Sequence, residues 1–166
     1  MKLNIGAGPS GQGDEKIDIV PYPGVGHIVD IAIDPLPFDD NTFDEVEANQ
    51  VLEHVPNTIY IWDNKVKKQV RRYCRIEAMR EIHRVLKPGG MLKASVPYQW
   101  PEWAQDPTHT GVPWNREQFS YFCGMWGGNK PGDFAHDSYG INFEFEMMRG
   151  DYEGAHLFVE LRKPMR

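Results

Sequence analysis

The sequence predicts an α/β fold in which a mostly parallel sheet ends in an antiparallel hairpin. Short apolar runs fill the first third of the chain, and turns rich in glycine and aspartate separate them. A helical period comes next, followed by another apolar run behind a Lys-Pro-Gly-Gly turn at residues 87–90. Two further apolar runs close the chain. Strands that alternate with turns and a helix in this way form parallel sheets, and a terminal strand pair adds an antiparallel edge.

The predicted strands are brief, and most of them end next to a glycine or an aspartate. They cover Lys2–Ile5, Lys16–Val20, Gly26–Asp30, Phe43–Ala48 and Met91–Val96, with Ile141–Met148 and His156–Leu161 near the end of the chain. Because Arg149-Gly150-Asp151 separates the last two runs, we expect it to form the turn of the closing hairpin.

One long helix is predicted over residues 59–86. Apolar side chains recur there at spacings of three and four: Val66, Val70, Tyr73, Ile76, Met79, Ile82 and Leu86. Lys87-Pro88-Gly89-Gly90 is expected to end the helix. Between the first two strands the glycines leave no room for a helix, so the first helix is expected to be reduced to a turn. No helix precedes Lys2, so no N-terminal lid is expected over the site.

Length and composition indicate a single domain over residues 1–166. The chain has 166 residues, 40% of them hydrophobic, which is enough for one core but not for two. The formal charge of −6 disfavours general electrostatic binding of nucleic acid, although a local basic patch leaves nucleic acid open as a partner. The two cysteines match no metal or redox spacing, and such sparse use is typical of the cytoplasm. No apolar run reaches the roughly 18 residues that cross a bilayer, so no membrane is expected.

The main binding motif is the glycine loop after the first predicted strand, Gly6-Ala7-Gly8-Pro9-Ser10-Gly11. It satisfies the G-x-G-x-x-G pattern, which raises an NAD-dependent oxidoreductase as one hypothesis. In dinucleotide sites, however, the third glycine opens a helix and an acidic residue follows about 20 positions on. Here Asp18 comes much earlier and more glycines follow. The spacing therefore favours a nucleoside with a short tail, such as S-adenosylmethionine, and a turn without ligand is the alternative.

Several segments, in order, resemble the class I S-adenosylmethionine-dependent methyltransferases. They are residues 3–8, 36–46, 51–55 and 84–92, and the resemblance covers residues 2–97. It implies a Rossmann-like, mostly parallel sheet with helices on both faces and a C-terminal antiparallel hairpin. It also implies S-adenosylmethionine as the cofactor.

The resemblance implies a cofactor site at the carboxyl ends of the first four strands. The residues that match the family pattern are Gly6, Ala7, Gly8, Asp18, Ile19, Asp30, Ile31, Asn49 and Gln50. The glycines would lie under the methionine portion, and Asp18 would accept both ribose hydroxyls. Asp30 would border the adenine, a position that Asp34 could also take. Asn49 and Gln50 would line the sulfonium end.

Two further segments resemble a metal-dependent branch of the same family, whose members methylate small-RNA ends or ubiquinone precursors. They are Gln50–His54 and Gln105–His109, although Gln50 replaces a glutamate of that pattern and His109 lies one residue farther from the tryptophan. The resemblance implies a divalent metal held by Glu53, His54 and His109. Without metal, His54 or His109 is the candidate catalytic base. The alternative is that both histidines only pack or hold a loop.

Residues 98–140 are expected to form an aromatic insertion that covers the substrate, or else a satellite core. Its rings are Tyr98, Trp100, Trp103, Trp114, Phe119, Tyr121 and Phe122, and Gly127–Gly132 is expected to be a mobile loop. A basic run on the predicted helix either faces solvent or meets an anionic partner: Lys65, Lys67, Lys68, Arg71, Arg72 and Arg75.

The functional hypothesis is methyl transfer to an oxygen or nitrogen of a small-molecule or nucleotide-like acceptor. A non-catalytic cofactor-binding subunit or regulatory partner is the alternative, and a nicotinamide enzyme is less favoured. Because the predicted pocket lacks helices on one side, a homodimer or a partner subunit is expected to close it.

Overall fold

A computed structural model describes residues 1–99, 105–124 and 138–165, and a seven-stranded sheet forms their centre. In chain order its strands are β1 (Lys2–Ile5), β2 (Glu15–Asp18), β3 (His27–Ile28), β4 (Phe43–Asn49), β7 (Leu86–Pro97), β8 (Glu146–Glu153) and β9 (His156–Arg162). A separate hairpin pairs β5 (Ile59–Asp63) with β6 (Lys68–Arg72). The helices are α1 (Cys74–Val85) and α2 (Arg116–Tyr121).

The strand order is β3-β2-β1-β4-β7-β9-β8. The first five strands in this order run parallel to one another. Strand β9 runs antiparallel to β7, and β8 runs antiparallel to β9. The predicted fold class, a mostly parallel sheet with a C-terminal antiparallel hairpin, is confirmed. Between β1 and β2 the chain makes turns without a helix, as the closely spaced glycines predict.

One face of the sheet is apolar. Leu3, Val46, Leu92 and Leu161 are register partners from strand to strand, and each is 0% exposed. Because side chains alternate between the two faces of a strand, these partners form one row on one side. Helix α1 adds Ala78, Met79 and Ile82 to the same core.

The opposite face carries charged side chains. Glu47, Lys93, Glu160 and Arg149 are register partners across β4, β7, β9 and β8. Neighbouring charges of opposite sign form ion pairs there, for example between Lys93 and Glu45 at 2.5 Å. Such a row remains hydrated and needs no covering layer.

Within the described residues, α1 and α2 lie on the apolar side of the sheet. Helix α1 belongs to the apolar core. In α2, Arg116 lies against Gly150, which is the register partner of the buried Val159. The helix of residues 74–85 is therefore the main cover of the sheet within the described residues.

The predicted helix over residues 59–86 is wrong in its first half. Residues 59–72 form the β5–β6 hairpin, with Ile61 opposite Val70, and α1 begins only at Cys74. The segment Ile59–Trp62 is rich in β-branched and aromatic residues, which favour strands. Lys67 adopts a left-handed φ of 50°, which closes the turn between the two strands. Most of the basic run therefore lies on a hairpin.

The turn of the closing hairpin is also displaced from its predicted position. Arg149-Gly150-Asp151 lies inside β8, and the chain turns at Gly154 and Ala155. A Cβ atom at Gly150 would lie 3.0 Å from the Met147 sulfur and 3.2 Å from Arg116 Nε. This glycine therefore serves close packing within the strand. Residues 141–145, predicted as strand, are irregular.

Among the helices of the described residues, none is long and apolar enough to cross a membrane. Cys74 and Cys123 are buried and free.

Candidate active site

A cavity of about 630 Å³ opens at the carboxyl ends of β1 and β2. Such a volume lies within the usual range for small-molecule sites, roughly 300–1,000 Å³. The lining residues that the sequence predicted are Gly6, Gly8, Asp18, Ile19, Asp30, Ile31 and Gln50. The structure thus brings seven of the nine predicted cofactor residues to one cavity.

Gly6 lies where the glycine loop meets the segment after β4. Its φ of +65° is in the left-handed region, and a Cβ atom there would lie 2.5 Å from Val51 Cγ2. Gly8 has a similar φ of +55°, but a Cβ atom would meet nothing within 4 Å. Gly6 is therefore required by both conformation and space, whereas Gly8 leaves open space over the cavity.

Asp18 ends β2 and is 9% exposed. One carboxylate oxygen accepts the N–H of Gly8 at 2.8 Å, and the other accepts the N–H of Val20 at 2.9 Å. Each oxygen of a carboxylate has two lone pairs, so each keeps one for a further donor. Asp18 both fixes the glycine loop and offers an acceptor on each oxygen.

Asp30 lines the cavity, and Asp34 supports it from outside. Asp34 accepts the backbone N–H of Asp30 at 3.0 Å, and Asp30 accepts that of Ala32 at 2.9 Å. Of these two aspartates, only Asp30 lies on the cavity wall.

Ala7 and Asn49 do not line this cavity. Ala7 is 6% exposed, and its N–H donates to Ile17 at 3.1 Å. Asn49 points to the charged face of the sheet, where its side chain contacts Glu47 and Ser95. Because β4 continues through Asn49, strand alternation directs this side chain away from the cavity. Asn49 was predicted to line the sulfonium end of the cofactor site, but the structure does not bring it to the cavity.

A second, polar cavity of about 670 Å³ adjoins the first and shares Gln50 and His54 with it. Its other lining residues are Glu53, Pro97, Gln105, Asp106, Pro107, His109 and His156. Gln50 adopts a left-handed φ of 53°, and its N–H donates to the carbonyl of Ser95 at 2.8 Å. Gln50 and His54 thus stand at the junction of the two cavities.

Glu53, His54 and His109 meet in the polar cavity although 54 residues separate the two histidine-bearing segments. One potential ligand atom from each lies within 4.8 Å of the others. The two imidazole rings are 5.0 Å apart, and His109 Nε2 is 4.0 Å from Glu53 Oε1. The sequence-based grouping of these three residues therefore corresponds to a real cluster.

The Glu53 side chain is 1% exposed, and its Oε2 has no hydrogen-bond partner within the described part of the chain. Burial raises the pKa of Glu53 to about 7, and the nearby negative charge of Asp106 adds to the rise. Next to it, the Thr108 hydroxyl lies 3.0 Å from His54 Nδ1 and donates to Asp106 at 2.6 Å. This loop therefore fixes the orientation of His54.

Arg75 holds together two segments of the candidate site. The sequence did not predict this role, because Arg75 was counted with the basic run of the predicted helix. It is 7% exposed, and its guanidinium lies 4.6 Å from the Trp114 ring. It donates to the carbonyls of Val55, Thr110 and Val112 at 3.2, 3.2 and 2.8 Å. Burial lowers its pKa to about 10. Arg75 therefore ties the segments after His54 and after His109 together.

The spacing of apolar residues in the predicted helix already indicated that Arg75 is buried. Arg75 is three or four residues before Ala78 and Met79, and both are buried. Arg75 therefore falls on the apolar stripe of α1 instead of on its solvent face.

Within the described residues, the aromatic insertion forms core. Trp114 and Phe119 are 1% and 0% exposed, and their rings stack at 4.6 Å. The Trp114 indole N–H donates to the carbonyl of Leu52 at 2.9 Å. These two rings belong to the same apolar core as the sheet and α1. Trp100 and Trp103, and the predicted mobile loop at Gly127–Gly132, lie outside the described residues.

Comparison with known proteins identifies the family. Residues 14–94 match the family model described as a methyltransferase domain. This match spans just under half of the chain and, with the fold, supports a class I S-adenosylmethionine-dependent methyltransferase. A demethylmenaquinone methyltransferase of Staphylococcus epidermidis, found in two strains, is 40% identical to this chain over 57 residues. That stretch covers 34% of the chain and only 17% of the relative.

Solved structures share the fold of this chain at low sequence identity. One is a chain of the complex between the Haloferax volcanii Trm112 methyltransferase activator and its candidate methyltransferase. It is 14% identical, with a TM-score of 0.62, over 98% of this chain and 82% of that one. Another is the 1,6-didemethyltoxoflavin-N1-methyltransferase of Burkholderia thailandensis, with bound S-adenosylhomocysteine. It is 13% identical, with a TM-score of 0.57, over 98% and 70% of the two chains.

Proposed function

We propose that this chain transfers the methyl group of S-adenosylmethionine to an oxygen or nitrogen of a small-molecule or nucleotide-like acceptor. The observation that carries the proposal is the junction of two cavities at Gln50 and His54. One cavity has the glycine loop and the carboxylate of Asp18, and the other is lined by polar and titratable side chains. A cofactor in the first would present its reactive end to an acceptor in the second.

The residues of the first cavity fit the cofactor. The loop at Gly6 and Gly8 lets a ligand approach the backbone, because neither residue has a side chain. Asp18 keeps an acceptor site on each oxygen, which suits two neighbouring ribose hydroxyls. Ile31, Ala32 and other apolar side chains form a wall suited to a flat base.

The protein's part in the reaction is to place the acceptor and receive its proton. S-adenosylmethionine, when bound, supplies a methyl group already activated on a sulfonium, so alignment of the acceptor atom supplies much of the rate. As the acceptor bonds to the methyl carbon, its proton must leave, and His54 and His109 line the cavity where this occurs. An imidazole titrates near neutrality, which suits either histidine to the role of base.

Calorimetry with S-adenosylmethionine, S-adenosylhomocysteine and NAD tests the cofactor. We expect both adenosyl compounds to bind and NAD not to bind. Absence of binding by either adenosyl compound contradicts the proposal, and binding of NAD alone would support an oxidoreductase.

Turnover is tested by measuring S-adenosylhomocysteine released with pooled metabolites and short RNAs as acceptors. Replacing His54 or His109 with glutamine should lower turnover about a hundredfold, the usual contribution of a general base. Cofactor affinity should stay within a few fold, and the same change at His27, on the edge strand β3, serves as control. Tight binding without turnover on any acceptor would favour the non-catalytic alternative.

A divalent metal at Glu53, His54 and His109 is a second candidate function for the polar cavity. Within the described residues the buried Oε2 of Glu53 has no hydrogen-bond partner, which favours a metal, since an ion would satisfy that oxygen. The mixed nitrogen and oxygen donors suit Mg, Mn, Fe, Ni or Zn. Such an ion would supply a Lewis acid for vicinal hydroxyls of the acceptor.

Elemental analysis of the purified protein tests the metal directly. We expect one equivalent in the wild type and a loss in the His109→Ala variant. His156→Ala is the matched control, because His156 lines the same cavity outside the three-residue group. Metal retained equally by both variants excludes His109 as a ligand.

We also propose that a second subunit, a homodimer mate or another protein, covers the open edge of the cofactor cavity. Ile19, Val20 and Ile33 line that cavity and are still 65%, 40% and 44% exposed. Light scattering with and without cofactor tests self-association. The free cysteines suit a reducing compartment, and we propose the cytoplasm.

A further inference from the structure

We propose that the β5–β6 hairpin binds single-stranded nucleic acid and holds it beside the methyl-transfer cavities. This inference rests on the proposed function and specifies its acceptor as part of a polynucleotide. It arises from three observations: exposed rings on one face of the hairpin, unpaired cations around them, and the contact of the hairpin with the cofactor cavity.

The exposed rings belong to Tyr60 and Trp62. In the antiparallel register they lie opposite Arg71 and Gln69, so these four side chains share one face of the hairpin. Tyr60 is 60% exposed and Trp62 is 61% exposed. The Arg71 guanidinium lies 5.6 Å from the Tyr60 ring and donates to its hydroxyl at 3.0 Å. The face thus offers flat rings and polar groups at adjacent positions.

Stacking on aromatic rings is how proteins bind single strands without reading their sequence, because every base has a flat face. The Trp62 ring makes no ring-to-ring or cation contact within the described residues, and its neighbour Tyr60 contacts only Arg71 in this way. An exposed tryptophan of this kind is uncommon on a surface without a binding role.

The hairpin is also strongly basic in an acidic protein. Residues 59–72 contain five cationic side chains and one acidic one, in a chain with a formal charge of −6. The cationic residues are Lys65, Lys67, Lys68, Arg71 and Arg72. The acidic one, Asp63, is occupied by accepting the backbone N–H groups of the turn.

These five cations differ from those of the charged sheet face. Lys2, Lys93 and Arg149 form ion pairs there with neighbouring glutamates and aspartates. No such pair involves the five hairpin cations in the parts of the chain that the structure describes. Lys65, Lys67 and Lys68 are therefore available for phosphate groups, whose binding releases counterions from the strand, whereas Arg71 and Arg72 already donate to Tyr60 and Ile33.

The base of the hairpin lies at the cofactor cavity. Ile59, the first residue of β5, lines that cavity. At the end of β6, the Arg72 guanidinium donates at 2.7 Å to the carbonyl of Ile33, another residue of the cavity wall. Ile59 and Arg72 are register partners on the face opposite the rings, so a strand stacked on Tyr60 and Trp62 would reach the proposed methyl-transfer site around the base of the hairpin.

The hairpin's composition favours nucleic acid over a membrane surface. Its turn, Asn64-Lys65-Val66-Lys67, contains one apolar side chain between two lysines, so little of it would enter the acyl region of a bilayer. The rings lie along the strand face beside Arg71, where a base can stack, and not at the tip.

Fluorescence anisotropy with a labelled single-stranded 12-mer of RNA, and the same sequence in DNA, tests the proposal on the full chain. We expect binding in the micromolar range that weakens as the salt concentration rises. Trp62→Ala should weaken binding about tenfold through lost stacking. Lys65→Ala with Lys67→Ala should weaken binding and also lower the salt dependence, by about 0.7 per lost phosphate contact.

A charge-matched control is available on the opposite side of the molecule. Lys87→Ala with Lys93→Ala removes the same net charge, but both lysines lie on β7 and are paired with carboxylates. This variant should bind within about twofold of the wild type. Thermal unfolding of each variant checks the fold, which exposed hairpin substitutions should leave intact.

Three results would overturn the inference. They are equal binding by the hairpin variants and the control, preference for phosphatidylglycerol vesicles over the oligonucleotide, and no oligonucleotide binding by a protein that still binds S-adenosylmethionine. The third leaves the proposed methyltransferase function standing. Loss of cofactor binding itself would instead contradict that proposed function.

Discussion

The carboxylate of Asp18 accepts the backbone N–H of Gly8 at 2.8 Å, and this bond joins the end of β2 to the glycine loop after β1. No helix lies between these two strands to hold the loop in place. Further support comes from the Ala7 N–H, which donates to the Ile17 carbonyl at 3.1 Å, and from the Asn4 side chain, which donates to the Gln12 carbonyl at 3.0 Å. Asp18 thus replaces part of the support that a helix would give.

Replacing Asp18 with alanine should weaken binding of S-adenosylhomocysteine more than tenfold. The change removes an acceptor of charge-assisted hydrogen bonds, each worth about 1.5–3 kcal/mol, and frees the loop at Gly8. Calorimetry measures the affinity. Asp39→Ala, an exposed aspartate in the connection before β4, is the matched control and should bind normally. Equal affinity of the Asp18 variant and this control would refute the ribose role.

The contact between Gly6 and Val51 predicts a difference between two otherwise similar glycines. Gly6→Ala should lower the free energy of unfolding by about 2–4 kcal/mol, combining a left-handed backbone penalty with overpacking against Val51. Gly8→Ala carries only the backbone penalty, about 1–2 kcal/mol, because its Cβ meets open space. Urea unfolding without cofactor measures both.

A double variant separates the two contributions at Gly6. Replacing Val51 with glycine in the Gly6→Ala background removes the Cγ2 and Cβ atoms that lie 2.5 and 2.7 Å from the new Cβ. It should recover stability relative to Gly6→Ala alone, although Val51→Gly by itself destabilises. Additive losses in the double variant would show that steric overlap with Val51 is not the cause.

The sequence predicted the sheet well because its apolar runs and turns are local features. It failed at residues 59–72, where Val66, Val70 and Tyr73 have helical spacing by coincidence. Pairing with β6 decides that segment, and pairing is a long-range property that periodicity does not contain. The strand-forming composition of Ile59–Trp62 was the contrary signal.

Most of the cofactor residues predicted from the sequence line the candidate cofactor cavity, but the sequence did not predict where β4 ends and therefore which way Asn49 points. Gly6, Asp18 and Gln50 lie in the cavity as expected. Asn49 does not, because β4 extends one residue beyond its predicted end and a one-residue step reverses the face of a side chain. Arg75 was missed because a charged residue on a helix is usually exposed.

Arg75 should be required for the geometry of the polar cavity. Arg75→Met leaves the carbonyls of Val55, Thr110 and Val112 without their donor, so the free energy of unfolding should fall by about 3 kcal/mol. Turnover should fall more than cofactor affinity, because the loop that carries His109 loosens.

Chemical denaturation, calorimetry and turnover assays on the same preparations measure these effects. Arg162→Met is the control, since Arg162 forms an exposed pair with Glu146 at 2.7 Å, and such pairs contribute at most about 1 kcal/mol. If Arg75→Met matched this control in stability and turnover, the positioning role would be wrong.

His83 predicts how stability depends on pH. Burial against Phe143 and Phe145, together with the nearby charge of Lys163, lowers its pKa to about 4. Because the unfolded chain takes up this proton near pH 6.5, stability is complete above that pH and declines as the pH falls towards 4. The loss should be on the order of 2 kcal/mol, allowing for partial exposure of the ring. Urea unfolding between pH 7 and pH 4 measures this decline in stability. The decline should disappear in the His83→Gln variant and persist in the control variant His27→Gln. If it persists in His83→Gln, other groups cause it.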